Sequence, residues 1–379
     1  MQVLVVGGGL SGLFLSNLLL RRGVRVRVIE EDPHIGKPQH CAGVVSPNAI
    51  RILGNILGNR ELKREVIVNR IRSLTISIST LFKGEYHNTK EVYIINRERL
   101  ENILASKIIA DGGELVLGRR LSLVRSGGNT VKIDSTDIDE IEKKYDYIVI
   151  AVGALGALLR KGIKKIFPSY QVDIKDTTMD EENIEVFVDK DLNPYFFMWS
   201  IPLGNGTVRV GTAGRNPHKI VNHHLKRHYG DNSYKYKITN KYFGHIVLTG
   251  PVTPFYSGKY IYIGDTAGQT KVTTGGGIYY LLMAANFLAH CIISGDINNY
   301  QLMWLSNFKE ELILQKLLRR LFLLLNNQQI YSLVLSLQKH RLIDGFLSYG
   351  DVDRHGQSFI RYLVNKFMPK FLSKHREVD

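Results

Sequence analysis

Six residues near the start of the chain, Gly7-Gly8-Gly9-Leu10-Ser11-Gly12, constrain its fold more than any other feature. They follow the apolar run Val3–Val6, and Gln2–Val6 reads as a short buried strand. They open a stretch to Arg22 whose length and apolar spacing predict a helix. Gly7 permits the sharp turn, Gly9 leaves room for a phosphate, and Gly12 lets the helix pack on the strand. Free N–H groups and the dipole at a helix start favour negative charge there. A second predicted strand, residues 24–29, ends in Glu30, at the offset for an acid that accepts hydrogen bonds from a ribose hydroxyl. A lone glycine motif is weak. Between strand and helix, with its acid in register, it predicts a dinucleotide site.

A second glycine–acid signal, Gly264-Asp265-Thr266-Ala267-Gly268, follows the apolar run at 260–263. A nicotinamide dinucleotide does not need it. FAD carries a ribityl chain whose hydroxyls need an acceptor, a role open to Asp265. Gly275-Gly276-Gly277-Ile278 then opens a helix predicted over 278–293, offering N–H groups where a reduced flavin carries negative charge. An Asp cap followed by a flexible loop explains either element alone but not both together. FAD is therefore the expected cofactor.

The chain's 379 residues suffice for two or three domains. The pattern predicts an α/β fold in which a discontinuous Rossmann-like FAD-binding domain (1–70, 95–160 and 253–300) carries an inserted antiparallel β-sheet substrate domain (71–94 and 161–252). A helical C-terminal region, 301–379, follows. Further predicted strands lie at 74–80, 91–95, 114–117, 146–152, 184–188, 195–201, 207–211 and 234–238. A helix is predicted over 97–110 and a hairpin over 121–134, turning at Gly127-Gly128-Asn129.

Two cysteines, Cys41 and Cys291, provide no disulfide framework, which fits a reducing, cytoplasmic compartment. The first residues lack a basic leader and already form the nucleotide-binding strand, so no signal peptide is expected. The apolar runs are too short to cross a bilayer. A net charge of +15 points to an anionic partner or to a basic, solvated surface. No recognition motif supports nucleic acid. His223-His224 lacks the partner spacing of a metal site, and no metal is assigned.

Together these motifs resemble the FAD-dependent geranylgeranyl reductases, within the p-hydroxybenzoate-hydroxylase-like flavoproteins; the archaeal branch acting on digeranylgeranylglycerophospholipids is most similar. Beyond the glycine fingerprint, the resemblance rests on Cys41-Ala42-Gly43-Val44-Val45-Ser46, on Ile94-Ile95-Asn96-Arg97 leading into a helix, and on Gly264–Ile278. It implies FAD contacts at Ser11, Glu30, Cys41, Ala42, Gly43, Arg97, Leu121, Asp265, Gly277 and Ile278, beside Gly7, Gly9, Gly12 and Gly276. The reductase-specific segment stands as Phe197-Met198-Trp199-Ser200-Ile201-Pro202. Phe197, Trp199 and Pro202 are the implied substrate contacts, an aromatic wall for an isoprenoid chain; same-face core residues of a strand would show the same pattern. In two places the chain departs from the wider pattern. Leu155 stands where hydroxylases have an acid in the second nucleotide motif, and Val272 where proline is usual.

The implied reaction is reduction of isolated C=C bonds in geranylgeranyl chains, of an isoprenoid lipid or a diphosphate. Hydride comes from flavin N5 and a proton from the protein. Cys41 is the leading proton donor, with His40 as a neighbour that could tune it; a small space-filling residue explains Cys41 equally well. Ferredoxin and NAD(P)H are both compatible electron donors. Phe359–Leu372 reads as a basic amphipathic helix able to rest on an anionic membrane, at the inner face of the cell membrane, or equally as a packed C-terminal helix. Two other functions suit the same fold: an FAD-dependent monooxygenase of the aromatic-hydroxylase type, and a non-catalytic prenyl-binding escort. Leu155 and the Trp199–Pro202 segment weigh against the first, and Glu30, Arg97 and Asp265 against the second.

Overall fold

The structure, a computed structural model, describes all residues except 40, 88, 127–129, 135–137, 158–159, 177, 230–236 and 368–379. Two compact units divide the chain. One comprises Met1–Val68, Tyr93–Pro168 and Tyr242–Phe308; the other Asn69–Val92, Ser169–Lys241 and Lys309–Asp379.

The first unit is built on a six-stranded sheet in the order Tyr256–Ser257, Tyr260–Tyr262, Tyr147–Ile150, Gln2–Val6, Arg25–Ile29, Glu114–Val116. All neighbours are parallel except the Tyr256–Ser257 edge. The apolar run of the first strand is what a central strand covered on both faces requires. Val3, Leu4 and Val5 are fully buried, each stabilising the fold by about 1.5–3 kcal/mol.

Because four successive strands run the same way, the loops after Val6, Ile29, Ile150 and Tyr262 emerge at one edge of the sheet. The chain leaves the central strand in opposite directions there, the place where such sheets bind ligands. The helix Leu10–Leu20 is buried on nearly every side and packs against the helices Arg97–Ala110 and Ile278–Ser294. It ends short of the expected Arg22. Gly23, at φ +74°, turns the chain and donates to Leu20 O at 2.9 Å.

The second unit carries a seven-stranded sheet in the order Lys237–Val247, Ile166–Lys175, Thr207–Ala213, Met198–Gly204, Asn183–Val188, Ser73–Ile78, Phe82–Tyr86. Alternation along the strands divides its side chains between two faces. Tyr170, Val172, Ile174, Val208 and Val210 pack with Val221 and Leu225 of the helix Pro217–Tyr229. Gln171, Asp173, Arg209, Gly211 and Trp199 belong to the opposite face, as the register Gln171↔Gly211↔Trp199 and Asp173↔Arg209 requires. There Arg209 and Asp173 form a buried ion pair, with Nε to Oδ1 at 2.7 Å and Nη2 to Oδ2 at 2.9 Å.

The predicted strand Gln2–Val6 and helix Arg97–Ala110 stand as read, and the hairpin forms from Ser122–Ser126 and Thr130–Asp134; its turn lies outside the described residues. The strand expected over 195–201 begins only at Met198. Asn193 Oδ1 accepts from the N–H groups of Tyr195 and Phe196, both at 3.2 Å, and holds that stretch in a turn. The strand expected over 234–238 is seen from Lys237, running to Val247; residues 234–236 lie outside the described residues. The amphipathic helix expected over 359–372 runs from His355 to Phe367, the rest lying outside the described residues. Its first turn is tied down by Glu311, which accepts from Gly356 N at 3.0 Å and Gln357 N at 2.7 Å.

Candidate functional site

Gly7 and Gly12 of the first motif are each required by a close backbone contact. Gly7 stands at φ +108°, and a Cβ there would lie 2.4 Å from Ala151 O. A Cβ on Gly12 would lie 2.1 Å from Gly7 O, so the helix can approach the strand only without one. Gly9 differs: a Cβ there meets nothing within 4 Å, leaving open space at the helix N-terminus. That is the geometry a phosphate group needs. Glu30 closes the loop, accepting from the N–H of Gly8 at 2.5 Å and of Asp32 at 2.8 Å. The segment leading to buried Leu121 lies against it, with Arg119 N donating to Glu30 O at 3.0 Å and Gly118 N to Asp32 O at 3.1 Å.

The second glycine–acid loop meets the first. Gly264, at φ +67°, presents its α-carbon to Ser11, where an added Cβ would lie 3.1 Å from the hydroxyl oxygen. Thr266 Oγ1 donates to Gly153 O at 3.3 Å, joining the loop after Ile150 to the same group. Asp265 is half-buried, and Gly277 is close enough that a Cβ there would lie 3.4 Å from its Oδ1. Ile278 is buried at the first turn of its helix, while Gly276 is exposed and its carbonyl accepts from Lys271 N at 3.1 Å.

Sequence reasoning missed the residue that shapes this loop. Buried Gln269 accepts from Gly264 N at 2.8 Å and donates to Tyr300 Oη at 2.9 Å. Its position just after Gly264–Gly268 was the only signal available. Val272, in place of the usual proline, is buried.

The Cys41 loop and the Arg97 segment are joined by strand pairing, Val44↔Ile94 and Val45↔Tyr93. Gly43 stands at φ +82°, where a Cβ would lie 2.4 Å from Ile95 O, and Ile95 N donates to Gly43 O at 2.9 Å. Ala42 is half-buried between Gly43 and Cys41. Ser46 caps the next helix, accepting from Ala49 N at 3.0 Å. Cys41 Sγ accepts from Gly43 N at 3.4 Å and faces the Arg97 guanidinium. Arg97 also donates from Nε to Glu101 Oε1 at 3.0 Å. Burial opposes its charge, but Glu101 and the Cys41 sulfur hold the guanidinium above its ordinary range. Asp265 is pushed up to about 6 by desolvation, with Arg97 pulling the other way. His40 lies outside the described residues.

The expected substrate contacts belong to the second unit. Phe197 stacks on buried Phe196 at 4.3 Å, and Trp199 meets Phe197 edge-on at 6.2 Å. Trp199 covers Gly211, where an added Cβ would lie 2.7 Å from the indole, and beyond Gly211 stands Gln171. The indole Nε1 and Gln171 Oε1 are buried without partners among the described residues. Pro202 is buried at a bulge between Met198–Gly204 and Thr207–Ala213.

The glycine cradle, the open space at Gly9, the acids at Glu30 and Asp265 and the cation at Arg97 fit the demands of FAD: pyrophosphate, ribose, ribityl chain and an anionic ring. Comparison with known proteins agrees. A family model described as an FAD binding domain matches residues 1–278. An uncharacterized protein of Methanocaldococcus jannaschii is 27% identical over 96% of this chain and 94% of its own. Digeranylgeranylglycerophospholipid reductase 2 of Methanothermobacter thermautotrophicus is 24% identical over 89% and 91%. Among solved structures, a geranylgeranyl bacteriochlorophyll reductase-like protein of Thermoplasma acidophilum has the same fold, with a TM-score of 0.75 and 16% identity over 100% of this chain and 99% of that one. The chain belongs to the FAD-binding-domain family and is an FAD-dependent oxidoreductase.

Proposed function

We propose that this flavoprotein reduces isolated C=C bonds in geranylgeranyl chains. The observation that carries the proposal is the grouping of Cys41 and Arg97 with Asp265, in the unit that holds both glycine loops. It is supported by the reductase name of relatives that align along nearly the whole chain. FAD, when bound, supplies the hydride.

Gly7, Gly9 and Gly12 admit the pyrophosphate to the helix N-terminus, and Glu30 accepts from the ribose. Asp265 would accept from the ribityl hydroxyls, and Gly277 and Ile278 would offer helix N–H groups to the ring. An isolated alkene has no carbonyl to delocalise charge, so the protein must deliver a proton as hydride arrives. Cys41 Sγ holds that proton. After it leaves, the negative sulfur is balanced by Arg97. Phe197, Trp199 and Pro202 offer an apolar wall that holds the chain and excludes water.

Contact with an anionic membrane suits the same reading. No described helix is long and apolar enough to cross a bilayer. The helix Asn298–Leu324 nevertheless exposes Ile313, Leu317, Leu321 and Leu324 along one stripe, with exposed Lys316 and Arg320 beside it. Residues 312–343 include five Lys or Arg and no Asp or Glu. A basic, leucine-rich helix face rests favourably on anionic lipid.

The test is anaerobic. Protein reduced with dithionite is titrated with geranylgeranyl lipid while flavin reoxidation and product mass are followed. The proposal expects reoxidation with a gain of two mass units per bond. Absence of reoxidation by any geranylgeranyl compound, or substrate-stimulated oxygen uptake with NAD(P)H, overturns it.

A further inference from the structure

Arg319 is the most conspicuous uncompensated charge in the second unit. It lies on the helix Asn298–Leu324 and is only 6% exposed. Its guanidinium lies 5.4 Å from the ring of Phe196 and 5.8 Å from that of Phe322. Among the described residues no carboxylate pairs with it and no acceptor takes its N–H groups. Desolvation alone pulls it down to about 10. Buried arginines ordinarily end on a carboxylate or a phosphate, because an unpaired charge out of water is costly.

A second cation stands close by. Lys190 Nζ donates to Pro194 O at 2.6 Å and Phe322 O at 3.0 Å, and lies 4.3 Å above the Phe322 ring. Burial and Arg319 both lower its ammonium, so the two charges sense one another. An ammonium has three donors, and two are used on these carbonyls. The acids flanking Lys190 in sequence are engaged elsewhere. Asn327 Nδ2 donates to Asp191 Oδ2 at 2.9 Å and Asp189 Oδ1 at 3.3 Å, and Arg227 pairs with Asp189 at 3.6 Å. The fold therefore holds two neighbouring cations and turns the local carboxylates away from them.

We infer that Arg319 and Lys190 form a binding site for a phosphate group, the charged end of the isoprenoid substrate. Phosphate suits the pair: a planar guanidinium can donate two parallel N–H groups to it, and an ammonium adds a point charge. Phe196, which Arg319 faces, stacks on Phe197, and Phe197 meets Trp199. A phosphate at Arg319 is thus followed by the aromatic segment assigned to the chain. This deepens the proposed function and rests on it for the identity of the ligand.

The experiment compares geranylgeranyl diphosphate, uncharged geranylgeraniol and inorganic pyrophosphate on the FAD-loaded protein, with wild type, Arg319→Gln and Lys190→Gln. Binding of the two isoprenoids is read from flavin fluorescence, and pyrophosphate binding from thermal protection. Arg319→Gln is expected to weaken the diphosphate 10- to 100-fold and to change geranylgeraniol less than twofold. Lys190→Gln keeps Arg319 in place and is expected to weaken the diphosphate three- to tenfold, which tests the site even where Arg319→Gln fails to fold. Pyrophosphate is expected to protect wild type at millimolar concentration and neither variant. If diphosphate and alcohol bind wild type equally, or both variants lose them equally, the site is overturned. If pyrophosphate binds through these residues but no isoprenoid binds, the phosphate site stands and the head-group assignment fails with the proposed substrate.

Discussion

Ser11 and Gly264 touch: a Cβ on Gly264 would stand 3.1 Å from the Ser11 hydroxyl oxygen. One belongs to the first glycine motif and the other to the second, so two signals far apart in sequence become one loop cluster. Parallel strand order brings this about. Gln2–Val6, Tyr147–Ile150 and Tyr260–Tyr262 are consecutive neighbours in register, and the loops that follow them emerge together. Glycine at 264 has two reasons, its positive φ and Ser11.

Gly9 and Gly12 separate cofactor binding from folding. Gly9→Ala meets open space in a conformation alanine adopts freely, so the melting temperature of flavin-free protein should shift by less than about 2 °C. Its affinity for FAD should nevertheless fall at least about tenfold, because the methyl occupies the phosphate's place. Gly12→Ala drives a Cβ into Gly7 O and should cost about 2–4 kcal/mol by urea denaturation.

Asp265 predicts a pH dependence with a definite sign. Its folded-state value, about 6, lies above the ordinary 3.8. The flavin-free fold therefore favours the protonated acid, and that contribution is complete below about pH 3.8 and lost as the pH rises through about 6. Asp265→Asn should stabilise flavin-free protein by about 1–3 kcal/mol at pH 8, the gain shrinking to nothing near pH 4. Thermal melts across that range measure it. A gain that grows toward low pH would contradict the assignment.

Trp199→Ala should leave flavin content unchanged, since the residue belongs to the second unit and the glycine loops to the first. Reoxidation of reduced protein by a geranylgeranyl lipid should slow about 10- to 100-fold, the value of a lost aromatic wall. Stopped-flow absorbance reads both quantities.

The exposed stripe on Asn298–Leu324 gives a membrane prediction. Wild type should sediment with vesicles containing anionic lipid and not with neutral ones, and raised salt should release it. Leu317→Glu with Leu321→Glu should reduce binding at least about tenfold without changing the melting temperature by more than about 2 °C, because both side chains face solvent.

Much of this was legible in the sequence, for a physical reason. Gly7, Gly12 and Glu30 occupy positions where the backbone leaves no alternative, and such positions leave a fixed residue type at a fixed spacing. Helix Arg97–Ala110 was equally plain, with Asn96 capping it through Arg99 N at 2.9 Å. Less visible were contacts made by ordinary residues at long range. Gln269 shapes the Gly264 loop through a backbone N–H, and Tyr300 holds Gln269, yet neither carries a spacing rule. The late start of Met198–Gly204 was hidden because Asn193 competes for the backbone locally while the aromatic pattern still reads as strand.

The account depends on both glycine–acid loops holding one flavin, and FAD titration of flavin-free protein tests that most directly. Wild type, Glu30→Ala and Asp265→Ala are followed by quenching of flavin fluorescence. One FAD per chain is predicted, with each variant weakened about 10- to 100-fold at unchanged stoichiometry. Wild-type affinity in Asp265→Ala, or no FAD bound by the wild type, would contradict it.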